Sequence, residues 1–290
     1  MERYTDPLKM IQNNFNDLSR SQKQISEFII NNYDKAAFMT AATLGQEVNI
    51  SESTVVRFAN ALGYSGYKDF QKGLQELVKN KLTTVQRISM VSTYENNKSI
   101  LKKVMEKDIE NIERTINEIE YDTFQNAIDL ILNAENIYIL GLRTSSFLAG
   151  YLGFYLSFIL KNVKVVTAGP NDVFEQLLNV DSKDLIIGIS YPRYSKRTLE
   201  ALDYCKEKNC KIISITDSLI SPAANDADVS LIAGSEMLSF VDSLVAPMSL
   251  INALIVSIGI EKKNDITASF EDLEVIWKKY NVYNVNNKES

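Results

Sequence analysis

Five short apolar runs punctuate the second half of the chain: IYIL (137–140), KVVTA (164–168), DLIIGIS (184–190), KIISIT (211–216) and VSLIA (229–233), with helix-length stretches between them. Apolar runs without polar alternation are strands buried on both faces, and the intervening helices are the crossovers that parallel pairing requires. The pattern predicts an α/β unit built on a five-stranded parallel sheet. In such a sheet ligands sit at the carboxyl ends of the strands, where loops lead into helix N-termini whose free N–H groups and dipole favour anions. The loops to inspect therefore follow Leu140, Ala168, Ile189 and Ile215.

The first of these reads Gly141-Leu142-Arg143-Thr144-Ser145-Ser146, and the third reads Ser190-Tyr191-Pro192-Arg193-Tyr194-Ser195-Lys196-Arg197-Thr198. Hydroxyls and cations concentrate at both helix starts. A phosphate held there would gain backbone N–H groups, the hydroxyls of Ser145, Ser146, Ser190, Ser195 and Thr198, and charge from Arg143, Arg193, Lys196 or Arg197. The competing reading makes Ser145 and Ser195 plain N-caps and leaves the arginines solvated. Asp217 reads as a cap of the turn that follows it.

The N-terminal part carries a different signal. Residues 38–73 spell a short apolar helix, a turn, and a second helix opened by Ser51. In that second helix Val55, Phe58, Ala59 and Leu62 fall at i, i+3, i+4 and i+7 and form a buried stripe. Ser53, Thr54, Arg57 and Asn60 are left facing outward, the types that reach phosphates and base edges from a major groove. Gly63 suits a left-handed C-terminal cap, and Tyr64, Tyr67 and Lys68 beyond it are expected to contact the DNA backbone. A preceding helix is expected over Ser21–Tyr33, with Ser21 as N-cap and Ile25, Phe28, Ile29 and Asn32 on one face.

Charge divides the same way. Residues 1–81 hold 10 Lys+Arg against 9 Asp+Glu, whereas the remainder holds 21 against 28, so the N-terminal part is the one a polyanion would not be repelled by. Cys205 and Cys210 enclose CKEKNC, which is not a metal-knuckle spacing, and no histidine exists to complete a zinc site, so neither metal nor cofactor is expected. A reduced compartment is the simple inference for the two thiols. The start MERYTDPLKM has no apolar signal core, and a cytoplasmic location is expected. The apolar runs Phe147–Leu160 and Leu244–Ile260 are short or interrupted by Pro247, Ser249 and Asn252, so they read as buried helices at a subunit interface, and no membrane partner is expected.

Between the two parts lies the polar, lysine-rich stretch Lys79–Glu120, with breaks expected at Thr83-Thr84 and Ser92–Lys98. A long helix is expected over Ser99–Ile119, with Ile100, Val104, Ile109, Ile112, Ile116 and Ile119 at roughly helical spacing, and another after Asp122.

Taken together, this order resembles the RpiR family of bacterial transcription regulators across nearly the whole chain. The N-terminal resemblance rests on Ser51-x-x-Thr54-Val55-x-Arg57-Phe58 and Leu62-Gly63-Tyr64-x-Gly66-Tyr67. The C-terminal one rests on Gly141-x-x-x-Ser145 and on Ser190, Ser195 and Thr198, with Thr216-Asp217-Ser218 and Ser221-Pro222 similar to a further turn of the family. The resemblance implies a helix-turn-helix domain over 1–80, a linker and connecting helix over 81–120, and over 121–290 a sugar isomerase (SIS) domain with a flavodoxin-like α/β/α sandwich. It implies operator DNA and an anionic sugar or sugar-phosphate effector as partners, a homodimer, and Glu236 facing the ligand of a neighbouring subunit. Arg143 stands where a second glycine is usual, and Pro192-Arg193 where Ser-Gly is usual. The added guanidinium groups suit a carboxylate or a second phosphate equally well.

Two functional classes compete: a ligand-responsive DNA-binding regulator, and a phosphosugar isomerase or aldolase-like enzyme with an ancillary helical domain. Aldose–ketose isomerisation needs proton transfer near neutral pH, for which histidine is the usual group and a tuned glutamate the next. A chain with no histidine is expected to have no catalytic residues of this kind. A sensor that regulates another protein is the third class.

Overall fold

The computed structural model describes residues 7–81, 97–238 and 240–283. The chain divides into two compact units, Met1–Ser89 and Met90–Ser290. The expected breaks at Thr83-Thr84 and at the start of Ser92–Lys98 lie outside the described residues.

The first unit is helical: α1 (Pro7–Asn14), α2 (Arg20–Asn31), α3 (Tyr33–Ala36), α4 (Ala41–Glu47), α5 (Glu52–Ala61) and α6 (Tyr67–Lys81). Ile11, Ile25, Ile29, Leu44, Val55, Phe58, Phe70 and Leu74 close around one core. The expected α2 is capped two residues earlier than the sequence suggested. Ser19, not Ser21, is the N-cap, because Gln22 completes a reciprocal capping box with it. Phe70 anchors the unit through edge contacts with Phe58 at 5.6 Å and Tyr64 at 5.2 Å between ring centroids.

The second unit runs α7 (Asn97–Glu118), α8 (Tyr121–Asn133), β1 (Ile137–Gly141), α9 (Ser145–Ile159), β2 (Val163–Val166), α10 (Val173–Gln176), β3 (Leu185–Ile189), α11 (Lys196–Glu207), β4 (Lys211–Thr216), β5 (Val229–Ile232), α12 (Val245–Glu261) and α13 (Lys263–Tyr280). The strands pair in the order β2-β1-β3-β4-β5, all parallel. Alternate residues serve opposite faces. Ile137, Ile139, Ile187, Ile213 and Ile215 pack with α8, α9 and α12, whereas Tyr138, Leu140, Ile186 and Ile212 pack with α10 and α11. The result is the expected α/β/α sandwich. The expectation that all five strands are buried fails at β2, an edge strand that leaves Lys164 and Val165 exposed.

α7 forms as its spacing predicts, but its apolar positions are not its most buried ones: Ile109 and Ile116 are 54% and 68% exposed while Asn111 and Thr115 are buried. Polar side chains face the sheet unit because their partners there are backbone groups, described below. Among the described residues no single helix is long and apolar enough to cross a membrane; α12 and α13 qualify only as a pair bent by 100°.

Candidate functional site

In the first unit two identical chain reversals present α5. Leaving α4, Asn49 at φ +55° lets its own N–H reach Gln46 O (3.2 Å) and that of Ile50 reach Gly45 O (2.8 Å). Leaving α5, Gly63 at φ +90° does the same, with Gly63 N to Asn60 O at 3.0 Å and Tyr64 N to Ala59 O at 3.1 Å. Both are Schellman closures, which satisfy carbonyls the helix would otherwise leave bare. Val55, Phe58, Ala59 and Leu62 are buried, and Ser51, Ser53, Arg57 and Asn60 are exposed, with Thr54 half-buried. Ser51 stands at the N-cap position without making the cap bond; its Oγ lies 2.9 Å from Thr54 Oγ1 and 3.1 Å from Ser53 Oγ. Arg57 folds back along the same face, donating from Nε to Ser53 O (3.2 Å) and from Nη2 to Thr54 Oγ1 (3.3 Å). Lys68 is exposed at the start of α6.

Tyr64 and Tyr67 do not join that face; they are 8% and 7% exposed. Tyr64 is the residue after the left-handed cap, the position that packs its side chain back onto the helix it has just left. Tyr67 donates its hydroxyl to Met39 O at 2.8 Å, and burial pushes its pKa up to about 12. Once Gly63 is read as a cap, the burial of Tyr64 follows from the same motif.

In the second unit the loops after β1 and β3 stand side by side, since Gly141 is in register with Ile189. β1 is also where the strand order reverses, so the two loops flank the crevice in which open α/β sheets bind ligands. Gly141 permits this approach: a Cβ there would lie 2.4 Å from Ser145 O in the first turn of α9. Arg143 and Arg193 both adopt left-handed backbone, φ +57° and +68°, and both are exposed. Ser145, Ser190 and Thr198, in the same loops and the helix starts that follow them, are buried. Ser146 donates to Arg143 O at 2.6 Å, tightening the first loop.

Ser195 caps α11, accepting from Thr198 N at 3.4 Å, so the plain capping role holds for this residue. Ser145, by contrast, is the first residue of α9 and caps nothing. Lys196 is exposed and reaches Glu200 at 3.4 Å; Arg197 pairs with Asp172 and lies over the Phe174 ring at 4.5 Å, which turns it away from the crevice. Thr198 Oγ1 and Tyr191 OH are buried without a hydrogen-bond partner. Burial raises the Tyr191 phenol well above its ordinary pKa, and the nearby Asp217 carboxylate adds to the effect. Asp217 accepts from Tyr194 OH (2.8 Å) and Thr216 Oγ1 (3.2 Å), so it ties the two loops together and does not merely cap its own turn.

Glu236 is half-buried within its own chain: its carboxylate holds Lys107 Nζ at 2.7 Å and Arg114 Nη1 at 2.6 Å, both on α7. Around it residues 234–238 and 240–243 form a strap. Asn111 exchanges two bonds with the Glu236 backbone (2.8 and 3.0 Å), Gly234 N donates to Thr115 Oγ1 (2.8 Å), and Ser243 donates to Asp108 (2.6 Å). Burial alone would lower the Lys107 pKa, but hydrogen bonds to Glu110 and Glu236 outweigh it and raise the value. On its other side the strap meets the β1 loop, where Thr144 donates to Asp242 at 3.2 Å. Sequence reading passed over Thr144, Tyr191, Asp242, Lys107, Asn111 and Arg114. The polar positions 107, 111, 114 and 115 on one face of an otherwise apolar-striped helix were the available signal.

Comparison with known proteins places these two arrangements among regulators. Residues 5–81 match the model of the helix-turn-helix domain of the rpiR family, and residues 130–257 match the SIS domain. The chain is 26% identical over 227 residues to the HTH-type transcriptional regulator HexR of Escherichia coli, covering 77% of this chain and 76% of that protein. It is 25% identical over 225 residues to an HTH-type transcriptional regulator of Clostridium perfringens, covering 77% and 80%. The sugar isomerase domain of an RpiR transcription factor from Sphaerobacter thermophilus superposes with a TM-score of 0.57 at 28% identity, covering 59% of this chain and 96% of that one. The Vibrio vulnificus NanR protein, solved with ManNAc-6P, superposes with a TM-score of 0.58 at 20% identity, covering 93% and 97%, and so shares the fold.

Proposed function

This chain belongs to the rpiR family of helix-turn-helix transcriptional regulators with a SIS domain, and on that premise we propose that the crevice between the β1 and β3 loops binds an anionic sugar phosphate that controls operator binding by α5. The observation that carries the reading is the pair of loops at the point of strand reversal. They carry the buried hydroxyls of Ser145, Ser190 and Thr198 together with the exposed Arg143 and Arg193, and the Thr198 hydroxyl has no partner of its own. A buried hydroxyl left unbonded costs free energy that a ligand oxygen would recover. On the DNA side Ser51, Ser53, Thr54, Arg57, Asn60 and Lys68 are the contact set. The protein acts in this reading as a cytoplasmic homodimer whose two readers meet two half-sites, and the exposed apolar residues Leu101, Met105, Ile109 and Ile116 of α7 are available for pairing.

Non-catalytic use of the SIS unit is favoured by the chemistry of its acids. An isomerase needs a group free to carry a proton; the chain has no histidine, Glu236 spends its oxygens on Lys107 and Arg114, and Asp217 accepts from Tyr194 and Thr216. The strap supplies a route for the response. A ligand that moves the Arg143 loop pulls on Thr144 and Asp242, and the same segment holds α7 through Ser243 and Glu236. For the effector to act, it must bind one arrangement of the strap more tightly than another.

The test is fluorescence polarisation of the whole protein against DNA from its own upstream region, with and without hexose and amino-sugar phosphates. Salt-sensitive binding shifted by one compound supports the reading. Operator binding indifferent to every anionic sugar tested would remove the sensor role, and no binding above the non-specific level would remove the reader role.

A further inference from the structure

Resting on the homodimeric reading above and adding a contact to it, we infer that the outer half of α13 pairs antiparallel with α13 of a second copy of this chain, through Leu273, Ile276, Trp277 and Tyr280. α13 lies beyond the residues matched to the SIS domain, and none of its 18 residues is buried. Its first half is anchored in its own chain: Ile266 packs against the core of the sheet unit, and the Phe270 ring lies 5.7 Å from that of Phe158 on α9. Past that point Ile276 and Tyr280 are 47% and 67% exposed, and Leu273 and Trp277 are half-buried. The four fall at i, i+3, i+4 and i+7, a single apolar stripe along the helix. A short helical segment with a bare stripe gains most of its stability from whatever packs on that stripe. The stripe also continues a row of rings: Phe154, Phe158, Phe270, Trp277 and Tyr283 follow one another at 4.9, 5.7, 6.1 and 5.1 Å between centroids, and both ends of the row are exposed. Aromatic rings gathered at a surface are the residues on which protein contacts most often turn.

Charge selects the second copy and the direction. The helical period puts Asp272 and Lys279 on one flank of the stripe and Glu274 and Lys278 on the other, and all four are exposed. Turning one α13 end for end against another, with the two-fold axis between Ile276 and Trp277, sets Leu273 against the partner's Tyr280 and Ile276 against the partner's Trp277. The same rotation brings Asp272 within a turn of the partner's Lys279 and Glu274 within a turn of the partner's Lys278, so opposite charges meet on both flanks. A groove lined by Ile266, Thr267, Phe270, Glu271 and Glu274 opens on the second flank, where the partner's Lys278 arrives. A parallel pair would instead put each of these charges beside its own copy. A stripe that is its own complement about a two-fold makes an isologous contact, which closes at two chains.

The experiment uses the whole protein, whose single tryptophan lies in the stripe. Sedimentation equilibrium and tryptophan emission are followed across a dilution series for the wild-type chain and for Ile276→Glu, a substitution at an exposed position that its own chain tolerates. The expected result is a self-association of the wild type whose loss on dilution shifts Trp277 emission to the red, and an association roughly tenfold or more weaker in Ile276→Glu. Direction is tested by cross-linking with diamide, from which the native thiols are shielded because Cys205 and Cys210 are buried. Leu273→Cys chains mixed with Tyr280→Cys chains should join by a disulfide, whereas Tyr280→Cys chains alone should not join to one another. Wild-type association that Ile276→Glu leaves unchanged, or joined Tyr280→Cys chains without the mixed product, overturns the inference and leaves the homodimer standing on another contact. A wild-type chain that stays single at every concentration overturns both together.

Discussion

Ser243 donates its hydroxyl to Asp108 at 2.6 Å, although the two residues are 135 positions apart and belong to the strap and to α7. One residue earlier, Asp242 accepts from Thr144 in the loop after β1. Two neighbouring side chains thus face in opposite directions and join the crevice to α7. Replacing Ser243 by alanine removes the α7 half of that link without touching the crevice. The expected outcome is unchanged affinity for the effector and a several-fold smaller shift in operator affinity on its addition, since couplings of this kind amount to about 1–3 kcal/mol. Titrating operator at saturating and zero effector measures it; a full-sized shift in the variant would show that the bond carries no coupling.

Thr198→Val separates stability from function. The hydroxyl is fully buried and unpartnered, so an apolar group of the same shape is tolerated or preferred, by up to about 1–3 kcal/mol. Thermal unfolding of the second unit should move up by a few degrees or stay level, while effector affinity falls. A lowered melting temperature would mean the hydroxyl has a structural partner when the protein is free.

Tyr67 gives the first unit an alkaline signature. Burial raises its pKa from 10.0 to about 12, so the proton is held more tightly in the folded chain than in the unfolded one. The associated stability is complete below pH 10.0 and is lost as pH rises toward about 12, at up to about 1.4 kcal/mol per pH unit. Tyr67→Phe should flatten that slope. It should cost only about 1 kcal/mol at neutral pH, because Met39 O keeps a second donor in Gln71 Nε2 at 2.7 Å. Urea unfolding of the first unit at pH 8 and pH 11 compares the two.

Arg57→Ala should weaken operator binding by about 1–3 kcal/mol, if the guanidinium leaves Ser53 and Thr54 to reach a base or phosphate. The residue is exposed, so the fold should survive. Tyr64, being in the core, should instead cost stability when truncated and change DNA affinity only through unfolding. Circular dichroism melts beside the polarisation titration distinguish the two effects.

What was legible in the chain was what depends on near neighbours. The run KIISIT is a strand over its whole expected length, because burial on both faces of a parallel sheet writes itself as continuous apolar sequence. The outward set Ser53, Arg57 and Asn60 follows from the helical period alone. The fates of Glu236 and α7 were not legible. Glu236 meets Arg114 across 122 positions, and an isoleucine stripe says that a surface is apolar without saying that something covers it. The left-handed arginines are not announced by their own residue type, as Asn49 is; only the glycines that the resemblance leads one to expect at those places point to them.

The strap joins α7 almost wholly through hydrogen bonds and ion pairs, and this gives it a distinct dynamic character. Contacts of that type exchange for water at little net cost, so the strap can detach while the apolar layers beneath stay intact. The amides of Gly234 and Glu236, which donate to the Thr115 and Asn111 side chains, would then trade their protons for deuterium at the rate of detachment. Two backbone protons would thus report how often the strap leaves α7.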